Sequence, residues 1–167
     1  ELPQSIIDKF NSILPQFWSH GNPVDIVGED DLSIPTICME ELVKWDGCDA
    51  VIHLGIQGRR VMVNNMVESL SKADPDFDRE KAEIVKKYFW QFEEDYAKYI
   101  AGLIQQYQKP IIGVSLLTDS LSKTLYPFEE YNYKAVFFPS PERAVKALCG
   151  MVQYRNWLKR QNINAEY

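Results

Sequence analysis

Cysteine is scarce in this chain, and its cysteines do not form pairs. The 167 residues contain three, Cys38, Cys48 and Cys149, with no C-x-x-C spacing among them. Zinc sites and disulfide frameworks in small domains need paired or regularly spaced cysteines, so the sequence predicts neither of them and no metal site. Each thiol is expected to be a small core residue in a reducing cytoplasm.

Long apolar runs and an excess of basic charge are also missing. No run approaches the roughly 18 apolar residues that cross a bilayer, and no basic-then-apolar signal segment opens the chain. The formal net charge is -6, whereas nucleic-acid binding needs a basic surface. The sequence therefore predicts neither a membrane nor a nucleic-acid partner. It also contains no G-x-G-x-x-G, P-loop, H-E-x-x-H, G-x-S-x-G or Cys–His nucleophile arrangement.

Apolar residues are plentiful, and their spacing predicts strands alternating with helices. Hydrophobic residues make up 46% of the chain, which is enough for the core of one domain, residues 1–167. Short apolar runs at 23–27, 50–56, 109–116 and 135–138 predict buried strands. Helical spacing predicts helices at 4–14, from Ser33 or Pro35 to Trp45, from Val61 to a break at 73–76, at 78–107 and at 140–160, with a short helix at 120–126. This order implies an open parallel sheet with helices on both faces.

The segment from Asp78 to Tyr107 has the longest helical periodicity. Aromatic side chains recur on one face, and Glu93, Glu94, Asp95 and Lys98 are assigned to the opposite, solvated face. A continuous helix here would be about 45 Å long at ~1.5 Å per residue, which is longer than a small domain is wide. The helix therefore breaks, or its early part projects. Core packing is the first interpretation of the aromatic stripe, and a partner-binding face is the second.

Residues 21–30 contain the first candidate site. Pro23 suits the first position of a strand, and Gly28 permits a sharp exit towards a helix N-terminus, where anions bind. Asp25 interrupts the apolar run between them. Its carboxylate either caps a neighbouring turn by accepting backbone N–H groups, or orders a loop beside a phosphate. The three carboxylates at 29–31 repel phosphate unless they turn away or bind a metal.

A second candidate site follows the predicted strand at 50–56. Gly55, Gly58 and Arg59 form a possible anion-binding set at its carboxyl end, and Arg59 and Arg60 could hold an acidic ligand. The alternative interpretation of the two arginines is a solvated surface pair. His20 is expected to be a loop histidine bonded to the backbone, and His53 a satisfied core histidine.

Three stretches resemble one enzyme family. Residues 22–28 are NPVDIVG, residues 109–114 are KPIIGV, and residues 138–148 are FPSPERAVKAL, followed by an aromatic YRNWL segment at 154–158. They resemble, in order, the NPVD signature, the KP-hydrophobic strand and the closing P-S-P-E-R-A helix of the nucleotide-diphosphate-forming acyl-CoA synthetases. This is the ADP-forming acetyl-CoA synthetase family, which is related to succinyl-CoA synthetase. The resemblance covers both ends of the chain, whereas residues 59–107 are longer and more aromatic than the pattern.

The resemblance implies a flavodoxin-like CoA-ligase domain. The family couples formation or cleavage of an acyl-CoA thioester to ATP or ADP, through an acyl phosphate and a phosphohistidine in a Ser-His-Thr-Gly loop of the preceding domain. This domain would face that loop, with Asn22, Asp25 and Gly28 shaping the phosphate-facing turn. CoA, ATP or ADP and Mg are expected for the whole enzyme, with none held by this domain alone. The implied partners are other domains or subunits of the same synthetase. A homo-oligomer of the chain is the other arrangement considered.

Two departures from the family pattern shape the remaining expectations. The family domain opens with a Gly-ended strand, which is absent here, so four strands are expected instead of five, with an exposed gap or a partner strand. The chain then looks like a piece of a longer polypeptide. Ser19-His20-Gly21 has a superficial likeness to the phosphohistidine loop, but it matches the segment before NPVD, so no catalytic role is transferred to His20. The alternative function is a non-catalytic flavodoxin-like binding or assembly module that uses the helix at 78–107.

Overall fold

A computed structural model describes residues 1–28, 31, 33–115 and 117–161. The elements are α1 (Gln4–Asn11), α2 (Ile34–Lys44), β1 (Val51–Leu54), α3 (Arg59–Ala73), α4 (Arg79–Tyr107), β2 (Ile111–Val114), β3 (Leu125–Tyr126), β4 (Ala135–Phe138) and α5 (Pro141–Arg160). Glu29 and Asp30 of the first candidate site, and Leu116 of the third predicted strand, lie outside the described residues. None of the described helices is both long and apolar enough to cross a membrane.

The sheet has four strands in the order β1-β2-β4-β3. β2 runs parallel to β1, with Val51 beside Ile111, and parallel to β4, with Ile112 beside Val136. β3 is antiparallel to β4. The predicted open α/β sheet is therefore confirmed, but the expectation that all of its strands run parallel is wrong, because β3 is antiparallel. Because parallel strands share one direction, the carboxyl ends of β1, β2 and β4 meet at one edge, which is where ligands bind in such sheets.

Helices cover both faces of the sheet, as predicted. On one face, α2 and α4 pack over Ile111, Ala135 and Phe137. On the other face, Ala144 of α5 packs against Ile112 and Val114. Neighbouring residues of a strand point to opposite faces, so β2 contributes to both cores and is buried along its whole length.

Gly113 in β2 makes room for two aromatic rings. The rings of Phe137 and His53 occupy the space that a Cβ at this position would need. They lie edge to face with their centroids 5.7 Å apart. A strand glycine of this kind permits close approach of neighbouring groups, and here it positions His53 over the centre of the sheet.

A second core cluster ties α1 to the start of α2. Phe10 and Trp18 are buried in it, and their rings meet edge to face at 5.6 Å. The Trp18 indole Nε1 donates a hydrogen bond to Asn11 Oδ1 at 2.8 Å. Cys38 belongs to this cluster, as expected of a core thiol. Cys149, in contrast, is exposed on α5, so the prediction that every thiol is a core residue is wrong.

The predicted strand at 23–27 is absent, because side chains take the backbone groups that a sheet would need. Ser19 Oγ donates to the carbonyl of Pro23 at 2.6 Å and accepts the amide of Asp25 at 3.1 Å. The amide of Val27 donates to Asp25 Oδ1 at 2.9 Å, and Val27 has a φ of +49°. Local bonds of this kind compete with strand pairing. The apolar side chains of the segment pack instead against the α1 cluster.

The predicted short helix at 120–126 is also wrong, since the segment forms a turn followed by β3. The Asp119 carboxylate accepts hydrogen bonds from the Leu121 amide and the Ser122 hydroxyl, which closes a tight turn. Pro127 disfavours a helical conformation at Tyr126. The Tyr126 ring packs on Phe137 at 5.3 Å, which secures β3 beside β4.

The remaining helix boundaries agree with the sequence predictions to within a few residues. Ser140 caps α5 as predicted, and its side chain accepts the amide of Arg143 at 3.4 Å. Asp78 caps α4 by accepting the amide of Lys81 at 3.0 Å. α4 is one continuous helix of 29 residues. Its contribution to the sheet core begins at Phe92, so the early part of the helix extends beyond the sheet core, where it packs on α3.

Candidate functional site

A cleft of about 240 Å³ opens at the carboxyl edge of the sheet. Ser115, which follows β2, and Pro139, which follows β4, form part of its wall. Gln57 and Gly58 come from the β1–α3 connection, and Phe137 and Phe138 supply apolar surface. The loop between β2 and β3 contributes Thr118, Asp119, Ser122, Lys123 and Thr124, so the cleft is rich in hydroxyl groups.

The first turn of α3 is held by a carboxylate of α4. Glu93 is buried, with 3% of its surface exposed. Its Oε1 accepts the amides of Gly58 and Arg60, both at 2.9 Å, and its backbone carbonyl accepts Gln57 Nε2 at 2.9 Å. A negative charge is stabilised at a helix N-terminus, where backbone amides have no partner within the helix. The anion at the carboxyl end of β1 is therefore the protein's own Glu93.

Arg60 joins Glu93 to the loop that closes the cleft. Its guanidinium donates to both carboxylate oxygens of Asp119 at 2.8 Å, and to the Ser122 hydroxyl at 3.1 Å. Its Nε lies 3.4 Å from Glu93 Oε2, and the guanidinium stacks 4.8 Å from the Trp90 ring centroid. Bidentate arginine–carboxylate pairs fix geometry as well as charge. The cluster fastens the loop after β2 to the start of α3.

The charges of this cluster perturb one another's ionisation. The Arg60 guanidinium, by hydrogen bonding, holds the pKa of Asp119 well below its usual range, and the Ser122 hydroxyl acts in the same direction. Burial raises the pKa of the Glu93 carboxyl, although the Arg60 amide, the guanidinium and the Gly58 amide oppose the shift. Asp119 raises the pKa of Arg60. Asp119 and Arg60 thus stabilise each other's charged forms, whereas the burial of Glu93 disfavours its charged form.

The free groups of the cleft favour a small polar or anionic ligand over a metal. The charges of Arg60, Glu93 and Asp119 are paired with one another. Lys123 has no carboxylate within 4 Å among the described residues, and its Nζ lies 6.0 Å from the Tyr126 ring centroid. In the described part of the chain, no group of three or more His, Cys, Asp or Glu side chains is placed to hold a metal ion. The cleft therefore offers hydroxyl groups and one cation.

Of the second predicted site, Gly58 and Arg60 line the cleft. The φ of Gly58 is +99°, and a Cβ there would lie 2.8 Å from the carbonyl oxygen of Leu117. Gly55 and Arg59 lie outside the cleft wall and contact each other, because Arg59 Nε donates to the Gly55 carbonyl at 3.3 Å. The interpretation of Arg60 as a solvated surface residue is wrong: it is buried, and its acidic partners belong to the protein.

The first predicted site lies in the loop between α1 and α2, apart from the cleft wall. Asn22, Asp25 and Gly28 are exposed, and Gly28 has a φ of +69°. Asp25 makes the turn contact that its structural interpretation requires, through the amide of Val27. His20 Nε2 lies 2.9 Å from the carbonyl of Gln16, which is a backbone bond of the expected kind. The phosphate-facing role of this turn stays a prediction.

His53 is a core histidine with one satisfied ring nitrogen. Its Nδ1 lies 3.2 Å from the Tyr96 hydroxyl, whereas its buried Nε2 has no hydrogen-bond partner among the described residues. Burial lowers the pKa of His53 to about 4. The expectation of a core position is met, and that of a fully satisfied side chain is not.

Sequence reasoning missed Glu93 and Asp119. Glu93 was assigned to the solvated face of the long helix, and this is wrong. The signal was present, because Glu93 precedes the buried residues Tyr96, Ala97 and Ile100 by three, four and seven positions, which is the spacing of one helix face. Asp119 carries no comparable signal, since its role depends on Arg60, 59 positions earlier in the chain.

Comparison with known proteins identifies no relative of this chain. The chain matches no model of a known protein family, no curated protein and no solved structure. The class that the fold and the cleft define is an α/β domain with a polar cleft at the carboxyl edge of a mostly parallel sheet. Any narrower assignment depends on the residues themselves.

Proposed function

We propose that this chain is the flavodoxin-like CoA-ligase domain of a cytoplasmic acyl-CoA synthetase of the nucleotide-diphosphate-forming type. One observation carries the proposal: the three resembling stretches occur in family order, and two of them lead into the cleft. KPIIGV contains β2 and precedes Ser115, and the FPSPERA stretch supplies Phe138 and Pro139 of the wall. Ligands of open α/β sheets bind at this edge, so two of the three resembling stretches lead to the position expected for a ligand.

In this proposal the domain is one part of an acid–thiol ligase and is inactive alone. The phosphohistidine, CoA, the nucleotide and Mg belong to other domains or subunits. The cleft agrees with that division of labour, because Glu93 and Asp119 are already bonded to Arg60 and offer no free carboxylate to a cation. Asn22, Asp25 and Gly28 shape a turn towards the phosphorylated loop of the neighbouring domain.

The proposal is tested on the native protein from its source, recovered with an antibody to this chain. We expect a polypeptide or complex several-fold heavier than 19.4 kDa. In the presence of an acyl-CoA, phosphate and Mg, the preparation should convert ADP to ATP and carry an acid-labile phosphohistidine. A native protein that shows neither thioester-dependent nucleotide turnover nor phosphohistidine would refute the assignment.

Two substitutions of Asp25 in the native enzyme distinguish the effect of its negative charge from the effect of its hydrogen bond within the turn. Asp25→Asn keeps an oxygen for the Val27 amide and removes the charge, whereas Asp25→Ala removes both. If the carboxylate acts on the phosphate, both variants should slow phosphoryl transfer, at least ten-fold, with little loss of stability. Activity that is retained in Asp25→Asn, with equal losses of activity and stability in Asp25→Ala, would limit Asp25 to the turn.

A non-catalytic binding or assembly module is the second candidate, and a specific observation favours it. In the first half of α4, Ile84 is 67% exposed and Tyr88 is 56% exposed. An aromatic stripe that packed internally along the whole of α4 would have argued against a partner-binding role. Only the later half of the aromatic stripe packs against the core. Exposed apolar residues grouped on one element are typical of interaction surfaces.

A further inference from the structure

The part of α4 from Lys81 to Asp95 carries a regular row of exposed side chains, which we call the α4 stripe. It consists of Lys81, Ile84, Tyr88, Gln91 and Asp95, all of which are exposed. Their spacing of three, four, three and four residues keeps them on one side of the helix, because two turns take about seven residues. The stripe is therefore a continuous surface of about 20 Å, at ~1.5 Å per residue, that no other described part of the chain covers.

The charges at the two ends of the stripe are opposite and are placed symmetrically about its centre. Lys81 lies seven residues before Tyr88, and Asp95 lies seven residues after it. When two such helices pack antiparallel with Tyr88 near a two-fold axis, Lys81 of each helix comes opposite Asp95 of the other. A two-fold interface uses the same patch on both copies, so a patch must be complementary to itself. Parallel packing would instead place like charges together.

We propose that a second copy of this chain docks on the α4 stripe in antiparallel orientation. Tyr88 and Ile84 supply the apolar centre, and two Lys81–Asp95 pairs flank it. In the single chain, Lys81 contacts Asp78 and Asp95 contacts Gln91, and all four of these side chains lie at the surface. They can therefore turn towards a partner with little loss of burial. The contact area of two half-helices is small, which predicts a reversible dimer with micromolar affinity and not an obligate one. The inference does not depend on the acyl-CoA synthetase proposal.

The test measures the mass of the chain in solution, by sedimentation equilibrium over a range of concentrations, in charge-reversal variants. The unchanged chain should dimerise. Lys81→Asp and Asp95→Lys should each weaken dimerisation at least ten-fold, because each places like charges opposite one another twice. An equimolar mixture of the two variants should form a heterodimer, and the double reversal in one chain should restore the homodimer. This pattern of rescue is specific to the antiparallel register.

Matched controls exclude a loss of fold or a general charge effect. Arg79→Asp and Glu83→Lys change exposed charges of the same helix on the side away from the stripe, and they should leave dimerisation within two-fold of the unchanged chain. Tyr88→Ala should weaken it without lowering the helical circular dichroism signal. A chain that stays monomeric at several hundred micromolar, or single reversals that dimerise as well as the unchanged chain, would overturn the proposal.

Discussion

Gly58 is the residue through which the chain passes from the β1 connection into α3. Its φ of +99° disfavours any residue with a side chain, and an added Cβ would meet the Leu117 carbonyl oxygen at 2.8 Å. Gly58→Ala should therefore lower the free energy of unfolding by about 1–3 kcal/mol, which urea denaturation can measure. Gly150→Ala is the matched control, because Gly150 lies within α5 with open space around it. That change should stabilise the protein by about 0.5–1 kcal/mol. Equal effects of the two changes would contradict this account.

Arg60 is the charge on which the cleft cluster depends. Arg60→Met keeps an unbranched apolar stem but leaves Glu93 buried without its cation. Removing one partner of a buried pair costs about 3–5 kcal/mol, and we expect a loss of that order in the free energy of unfolding. Arg59→Met serves as the control, because the Arg59 side chain makes one hydrogen bond of 3.3 Å to a backbone carbonyl. It should change stability by about 0.5 kcal/mol or less. A loss below about 1 kcal/mol in Arg60→Met would indicate that Glu93 is neutral without its partner.

Because His53 is buried, the free energy of unfolding should depend on pH. The pKa of His53 in the folded chain is about 4, below the ordinary value of 6.5, so the unfolded chain binds the proton more tightly. Stability is therefore lost as the pH falls from 6.5 towards 4. His53→Leu removes this term, and the stability of the unchanged chain relative to the variant should fall by about 2 kcal/mol between pH 7 and pH 5. Urea denaturation at the two pH values measures the difference. Parallel behaviour of the two proteins would show that His53 is solvated when it is protonated.

Among the elements, α4 depends on its cap because its first half lies outside the sheet core, where it packs on α3. Asp78→Ala removes the acceptor of the Lys81 amide and should lower the free energy of unfolding by about 1 kcal/mol. Asp78→Asn retains a capping oxygen and should recover most of that loss. Urea denaturation followed by helical circular dichroism compares the three proteins. Equal losses in both variants would assign the effect to the Lys81 ion pair and not to the cap.

Element types follow from the sequence where local pattern and tertiary packing agree. The runs that became β1, β2 and β4, and the helices at both sides of them, were predicted close to their observed bounds. The segment at 23–27 has an equally apolar pattern, but Ser19 and Asp25 occupy its backbone groups. β3 could not be found from pattern, because two residues beside β4 have no periodicity of their own. Four strands were expected and four are present. The predicted strand at 23–27 is absent, and β3, which was not predicted, is the fourth.

The candidate site was predictable only in part. Gly58 was identified from its position after an apolar run, because a chain reversal at a strand end favours glycine. Glu93 could have been placed by its distance from Tyr96, Ala97 and Ile100, whereas the link between Arg60 and Asp119 joins residues that only the fold brings together. Spacing within one element is visible in a sequence, but contacts between elements are not.

At the scale of the whole molecule, the core cluster around α1 is distinct from the two clusters on the faces of the sheet. Phe10 is fully buried in the cluster around α1, which is separate from the cluster beneath α4. Phe10→Ala should cost about 3–5 kcal/mol by leaving a cavity. In hydrogen exchange, the amides of α1 should lose protection first, and those of β2 should keep most of theirs. Phe17→Ala is the control, because Phe17 is 77% exposed. Uniform loss of protection across the sheet would show that the two clusters unfold as one.

The α4 stripe and the carboxylate that holds α3 lie on the same stretch of helix. Glu93 lies five residues after Tyr88, about 7.5 Å along the helix axis, and neither proline nor glycine interrupts the helix between them. Such a segment behaves as a stiff rod. A partner that docks on the α4 stripe would therefore contact the same stiff helix that carries the carboxylate bound to the first turn of α3. The cleft and the exposed stripe are thus supported by one element of the molecule.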